Sequence, residues 1–366
     1  MKGCAKTKGM AFAIPFILFK SDMNLRVVSL LCISTIVIFL LKKFQFCAIL
    51  ILKGGVIMPK VKLYAPGYYK DFSCIADKCT HSCCIGWEID IDRDTMDKYA
   101  SVTHGYGKQI RDSIDVTDTP HFRLTDGERC PHLDQQGLCR IISNLGEAYL
   151  CDICREHPRF YNDTSRGREV GLGMACEEAC RIILESEDYA RMIEIGETDG
   201  ACELTDFDAV VHREAVYGIL ADNEIPYAEK LSRIQKEYGV RPDMLSDETW
   251  REFLSSLEYL NESHRELLAR YSSDLFTPTE WEKPLMRALS YFIYRHGSSA
   301  RDLVEFRTAV GLSLFCERLL ASVIKAERAQ EKEDVCRLAR IISEEIEYSE
   351  ENTEAIRFEF SFEMEV

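Results

Sequence analysis

Ten of the sixteen cysteines in this 366-residue chain lie between Cys74 and Cys180. The first four fall in one run, CIADKCTHSCC, which holds Cys74, Cys79, Cys83 and the adjacent Cys84. CPHLDQQGLC (Cys130, Cys139), CDIC (Cys151, Cys154) and CEEAC (Cys176, Cys180) follow. A chain of this length buries a large apolar core without covalent staples. Thiols this dense therefore point to disulfides or to a bound metal or cluster, and the redox compartment decides between them.

Residues 1–57 bear on the compartment. An apolar stretch over 27–41 precedes Lys42 and Lys43, and a second apolar run covers 44–52. Together they are long enough to span a bilayer. Immediately before Met58, however, the chain reads Lys53-Gly54-Gly55-Val56-Ile57. A purine-rich bacterial ribosome-binding site read in frame encodes Lys-Gly-Gly, and Met58-Pro59 opens a segment of ordinary globular character. Residues 1–57 are thus expected to be an upstream leader read into the open frame, with a membrane anchor through residues 27–52 as the alternative. With Met58 as the start, a cytoplasmic protein with reduced thiols is expected, and metal binding is favoured over disulfides.

The net charge of −16 is uneven, because residues 1–57 hold eight Lys/Arg against one acid and leave the remainder at −23. A body this acidic repels phosphate backbones, which argues against a nucleic-acid partner, and it weakly attracts a lysine-bearing one.

The expected fold class is α+β, mainly α. Residues 58–200 read as a loop-rich, cysteine-rich region with short strands, and residues 201–366 as a helical region ending in a strand. WEIDID (87–92) alternates like a strand, Asp92 or Asp94 caps a helix through Tyr99, and helices are expected over 141–150 and 177–193. Beyond 200, helical spacing covers 207–220, 227–238, 248–271, 281–295 and 303–328. In the third of these, Trp250, Phe253, Leu254, Leu257, Leu260, Leu267 and Leu268 share one face and are expected in the core. From Ile356 the chain alternates, with Ile356, Phe358, Phe360, Phe362, Met364 and Val366 on one side, as a half-buried strand would.

Clustered reduced thiols at short spacings are the usual ligands of zinc or of iron–sulfur clusters. Adjacent Cys83 and Cys84 lack the geometry to close a disulfide on each other. The spacing C-x4-C-x3-C-C matches no zinc-finger pattern, and an irregular set drawn from several loops suits an iron–sulfur cluster, with zinc, disulfides and free thiols as the alternatives.

The segments 72–92 (FSCIADKCTHSCCIGWEIDID), 130–141 (CPHLDQQGLCRI), 145–159 (LGEAYLCDICREHPR) and 173–184 (GMACEEACRIIL) resemble the flagellin lysine-N-methylases, which look related to bacterial cysteine-rich zinc- or iron-chelating proteins. The first run departs from the chelating-protein signature by its wider gaps before Cys79 and Cys83. The helical half resembles the methylases more loosely, over 281–296. By motif, the resemblance implies Cys74, Cys79, Cys83, Cys84, Cys130, Cys139, Cys154 and Cys176 as metal-binding cysteines, with Cys151 and Cys180 as extras. It further implies methylation of flagellin surface lysines, S-adenosylmethionine as donor and a 4Fe–4S cluster. The residues themselves support the cluster but not a donor site. HGYGK (104–108) and GLGM (171–174) follow no convincing strand, and Cys79-x3-Cys83 lacks the third cysteine of a radical S-adenosylmethionine signature.

Lysine methylation needs a neutral amine. Tyr68, Tyr69, Asp90, Asp92 and Glu156 lie near the cysteine motifs as candidate proton acceptors, although a structural role is expected for each. His81 and His157 are candidate ligands with solvated loop positions as the alternative, Trp87 is expected to shield the cysteine loops, and Arg159 is expected to pair with an acid, with orienting a donor carboxylate as the alternative. The competing function is a non-catalytic zinc- or iron-binding protein, against which the large helical half argues.

Overall fold

The structure, a computed structural model, describes residues 59–202, 205–242, 244–273 and 279–361. The leader and the end of the expected terminal strand lie outside these residues. Pro59–Val366 forms one compact unit. Its architecture is α+β and mainly α, as the sequence pattern implied. Among the described residues no helix is long and apolar enough to cross a membrane.

The cysteine-rich half is built on a four-stranded sheet of β1 (Lys60–Pro66), β4 (Arg159–Thr164), β5 (Gly167–Leu172) and β6 (Met192–Asp199), in the order β4-β5-β1-β6. β1 and β5 are parallel, and the other pairs are antiparallel. Between β1 and β4 the chain forms α1 (Arg93–Ser101), α2 (Gly105–Asp112), a two-residue ribbon of β2 (Ile114–Asp115) and β3 (His121–Phe122), and the short helices α3 (Arg140–Leu145) and α4 (Asp152–Glu156). These pack on a small core of their own, made of Ile89, Ile91, Tyr99, Ile110, Phe122 and Ile141 together with Cys130 and Cys151.

α5 (Glu177–Glu185) carries the chain to the larger core. There α6 (Ala209–Ala221), α7 (Tyr227–Tyr238), α8 (Asp247–Ser256), α9 (Glu262–Leu268), α10 (Glu282–Gly297), α11 (Leu303–Glu327), α12 (Lys332–Ile342) and α13 (Glu350–Glu359) gather around α11, which is buried along most of its length. A π turn, Ser343–Glu347, joins α12 to the segment before α13. Local sequence sets many helix starts: Asp92, Ser246, Asn261, Asp302 and Ser349 each accept a backbone N–H at an N-cap, and Glu331 with Asp334 forms a capping box. One buried ion pair ties the sheet to the helices. Glu169 of β5 and Arg213 of α6 are both fully buried and meet at 2.5 and 3.0 Å, and Ser298 Oγ accepts from the same guanidinium at 2.5 Å.

Several expectations are corrected. The tail from Ile356 is helical as far as Glu359, because Ile356 and Phe360 are fully buried one turn apart while Phe358 is 58% exposed. Positions i and i+4 satisfy both a period of two and one of 3.6, so the alternation was ambiguous. Residues 87–92 form no strand and make only an isolated bridge, Asp90 to His121. The helix expected over 248–271 breaks at 257–261, where Asn261 caps α9 and Glu345 accepts the N–H groups of Leu260 and Asn261. Leu260 is accordingly exposed, whereas Trp250, Leu254, Leu257, Leu267 and Leu268 are core as expected. The helix over 177–193 stops at Glu185, since the chain from Met192 pairs with β1. That over 141–150 ends at Leu145, where Gly146 turns the backbone at φ +90°.

Candidate metal centre

The cysteines of the four motifs fall into two neighbouring sets. The inner set is Cys84, Cys130, Cys139, Cys151 and Cys154. The Cys130 N–H donates to the Cys84 carbonyl at 2.8 Å, the Cys151 and Cys154 thiols influence each other's ionisation, and Cys84, Cys130 and Cys139 lie within electrostatic reach of one another and of that pair. This set packs against the small apolar core, with Cys130 and Cys151 buried. The outer set is Cys74, Cys79, Cys83 and Cys176, in which Cys176 interacts with Cys74, Cys79 and Cys83. Cys74 and Cys83 are exposed, and the other two are partly so. The adjacent thiols of Cys83 and Cys84 influence each other's ionisation and so link the two sets. The eight cysteines singled out by motif thus divide four and four, with Cys151 joining the inner set and Cys180, next to Cys176, directing its thiol to the Cys336 carbonyl.

Backbone geometry aims several of these sulfurs. Cys139, Cys151 and Cys176 are the N-cap residues of α3, α4 and α5. Backbone N–H groups at these helix starts bond to a thiolate and favour it: Ile142 and Ile141 at Cys139, Ala179 and Glu178 at Cys176. Burial acts the other way and dominates. It raises Cys139, Cys176, Cys79 (to about 11) and Cys130 (to about 12). Thiolates gathered in such a place need a cation among them, and a bound metal reverses the sign of the shift.

The donor set, thiolates from several loops and helix starts, fits a thiophilic centre. Its spacing bears on the kind of centre. Four thiolates around one zinc at about 2.3 Å would lie within about 4 Å of each other. Among the described residues, the one group of three or more His, Cys, Asp or Glu ligand atoms all within 4.8 Å of each other is instead His264, Glu344 and Glu345. That group is satisfied by protein partners. Glu345 takes His264 Nδ1 at 2.6 Å and two backbone N–H groups, and Glu344 takes Arg340 at 2.7 Å and His81 at 2.9 Å.

The outer set has a polar and aromatic wall drawn from both halves of the unit. Glu177 Oε2 accepts Thr80 N–H (2.8 Å), Thr80 Oγ1 (2.7 Å), His81 N–H (3.0 Å) and Cys79 Sγ (3.6 Å), which fastens the cysteine run to the start of α5. Burial alone would raise the Glu177 carboxyl, but these bonds, those from Thr80 foremost, hold it below the usual range. His81 reaches across to Glu344 of the π turn. Trp87 donates Nε1 to the Cys83 carbonyl at 2.6 Å and meets Tyr348 and His157 edge-on at 6.5 and 5.9 Å. Tyr348 sits against Gly173, where a Cβ would lie 2.5 Å from its hydroxyl, so a larger residue there would displace the ring. Behind it, Glu347 is buried and accepts from Tyr291 (3.0 Å), His296 (2.8 Å) and Arg295 (3.2 Å).

The remaining candidates resolve as follows. Asp92 spends both oxygens on structure, capping α1 through Thr95 N–H (2.8 Å) and holding Asp152 N–H at the start of α4 (2.9 Å). Tyr68 is buried in the larger core, Asp90 is exposed, and Glu156 accepts from Tyr161 at 2.9 Å. Arg159 has no carboxylate partner among the described residues. It donates to Tyr69 Oη at 2.8 Å and to the Arg155 carbonyl, and it lies over the Tyr69 and Phe72 rings. His157 packs on Trp87, and burial, then Arg159, lowers its pKa to about 4. Glu177, Glu344 and Tyr348 were not anticipated. The acids following Cys176 were a usable local signal, but nothing near 344–348 announced its distant partners.

No family model and no solved structure matches the chain. Three curated proteins are similar to part of the chain. A flagellar biosynthetic protein FliU of Salmonella muenchen is 28% identical over 138 residues, covering 36% of this chain and 82% of that protein. Lysine-N-methylases of Salmonella choleraesuis and Salmonella typhimurium are 28% and 27% identical over 144 residues, covering 37% of this chain. The match spans only 36% of the length of either methylase. These relatives bear out the resemblance carried by the cysteine motifs.

Proposed function

We propose that this protein is a protein-lysine N-methyltransferase acting on surface lysines of flagellin, with S-adenosylmethionine as methyl donor and an iron–sulfur cluster, of the 4Fe–4S type, held by cysteines. The observation that carries the reading is the convergence of the eight motif cysteines, scattered over a hundred residues, into two adjoining sets of four. The names of the lysine-N-methylases and of FliU supply the reaction and the flagellar context.

Cys74, Cys79, Cys83 and Cys176 would hold the reactive centre, since theirs is the set open to a macromolecular substrate. Cys84, Cys130, Cys139 and Cys154, closed against an apolar core, would hold a second, structural group. A bound cluster supplies redox-active iron that also serves as a Lewis acid. The chain does the rest: Glu177 places negative charge beside the outer set, where a lysine ammonium would approach, and Trp87 with Tyr348 walls one side.

The test starts with anaerobic purification and a count of iron, sulfide and zinc per chain. Equal iron and sulfide, a broad band at about 400 nm and transfer of a labelled methyl group to flagellin are expected. Cys176→Ser should abolish transfer while the fold persists, whereas Cys130→Ser should destabilise residues 84–156. Colourless protein with stoichiometric zinc and no transfer would overturn the proposal in favour of a non-catalytic zinc- or iron-binding protein.

A further inference from the structure

Cys180, one helical turn after Cys176 of the outer set, turns its thiol to Cys336 instead. Cys180 lies in α5 and is fully buried, and its Sγ points at the Cys336 carbonyl oxygen at 3.4 Å. Cys336 lies in α12 and is half-buried. The two thiols lie side by side where the helices meet and influence each other's ionisation. One sulfur within reach of solvent and a second already in contact behind it is the arrangement a reversible disulfide needs.

We propose that Cys180 and Cys336 form a redox-active dithiol site whose oxidant is a hydroperoxide such as hydrogen peroxide. The Cys336 thiolate attacks one peroxide oxygen, the O–O bond breaks, and Cys336 becomes a sulfenic acid as hydroxide leaves and is protonated to water. Cys180 Sγ then attacks the Cys336 sulfur, the S–O bond breaks, and the departing oxygen takes up the thiol proton as a second water. The two thiols together lose two electrons, and the peroxide gains them. The Cys180 thiol beside it, assisted more weakly by Arg181, lowers the Cys336 thiol and favours it as the attacking sulfur, although burial, Glu185 and Glu333 oppose the shift.

The position gives the bond a consequence. α5 begins beside Cys176 and carries Glu177, while α12 leads directly into the π turn whose Glu344 holds His81. A disulfide would therefore lock together the two elements that flank the outer cysteine set. The inference does not rest on methyl transfer and stands or falls without it.

The test treats the fully reduced chain with equimolar hydrogen peroxide, alkylates the remaining thiols and digests without reductant, using a protease that cuts after glutamate. Cleavage after Glu178 separates Cys180 from Cys176. The expected product is a cross-link of peptides 179–185 and 334–344 that disappears on adding dithiothreitol. In Cys180→Ser, Cys336 should accumulate as a sulfenic acid trapped by dimedone, and in Cys336→Ser, Cys180 should stay unmodified. Recovery of Cys336 as unoxidised thiol, or of Cys180 joined to Cys176, would overturn the proposal.

Discussion

Asp92 lies close enough to the cysteine motifs to be taken for a catalytic acid, and its geometry says otherwise. One carboxylate oxygen caps α1 at 2.8 Å, and the other holds Asp152 N–H at 2.9 Å, beside the N-cap Cys151. Asp92→Ala removes a helix cap, about 1 kcal/mol, and a charge-assisted bond to a second helix start, about 1.5 kcal/mol. The combined loss of about 2.5 kcal/mol corresponds to roughly a sixtyfold rise in local opening. Hydrogen exchange followed by mass spectrometry should show that acceleration in peptides covering α1 and α4, with little change in α10 or α11, which belong to the other core. The same carboxyl ties the effect to pH. Burial would raise it, but the N–H groups of Asp152 and Thr95 hold it below its ordinary value. Its stabilisation is therefore complete above the unfolded pKa of about 4 and is lost as pH falls through the folded one. Unchanged exchange in the variant combined with lost activity would refute a structural role and restore Asp92 as a catalytic candidate.

Three further outcomes follow from the packing. Phe360→Ala should cost about 3–5 kcal/mol in chemical denaturation, whereas Phe358→Ala, at a side chain 58% exposed, should be nearly neutral. Equal losses would mean that the tail is a strand after all. His132 is buried between Tyr106 and Ser113 with its pKa lowered to about 4 by burial and then by Arg140. Its contribution is present above the unfolded value of about 6.5 and lost as pH falls toward 4, so stability should drop by up to about 3 kcal/mol across that window; His132→Gln should flatten the slope, and an unaltered slope would count against the assignment. Arg213→Met leaves Glu169 buried without its partner and should cost about 3–5 kcal/mol, with a smaller loss when Glu169→Leu is added. A single variant as stable as the parent would show that the pair is not desolvated.

Where local chemistry suffices, the sequence could be read directly. Asp92 caps α1 because a short polar side chain reaches its own backbone, a relation confined to three residues. The helix over 227–238 was readable to its ends because Gly239 adopts the left-handed conformation that closes it. Reading failed where a distant partner chose between local options. Nothing in residues 257–261 says that Glu345 will take their N–H groups, and nothing after Glu185 says that Met192–Asp199 will pair with β1.

The cysteine centre divides along the same line. Residue types and motif spacing alone pointed to a gathering of thiols, and the resemblance to the lysine-N-methylases implied which eight. Only the tertiary structure decided how they are shared out: Cys83 and Cys84, one peptide apart, face different sets, Cys176 joins the first run across ninety residues, and Cys180 turns away to meet Cys336. It also supplied the wall from the helical half, His81 to Glu344 and Trp87 to Tyr348. Spacing along a chain limits how close two sulfurs can come, but their direction depends on which faces are buried. That choice is made by the two cores together and is written at no single position.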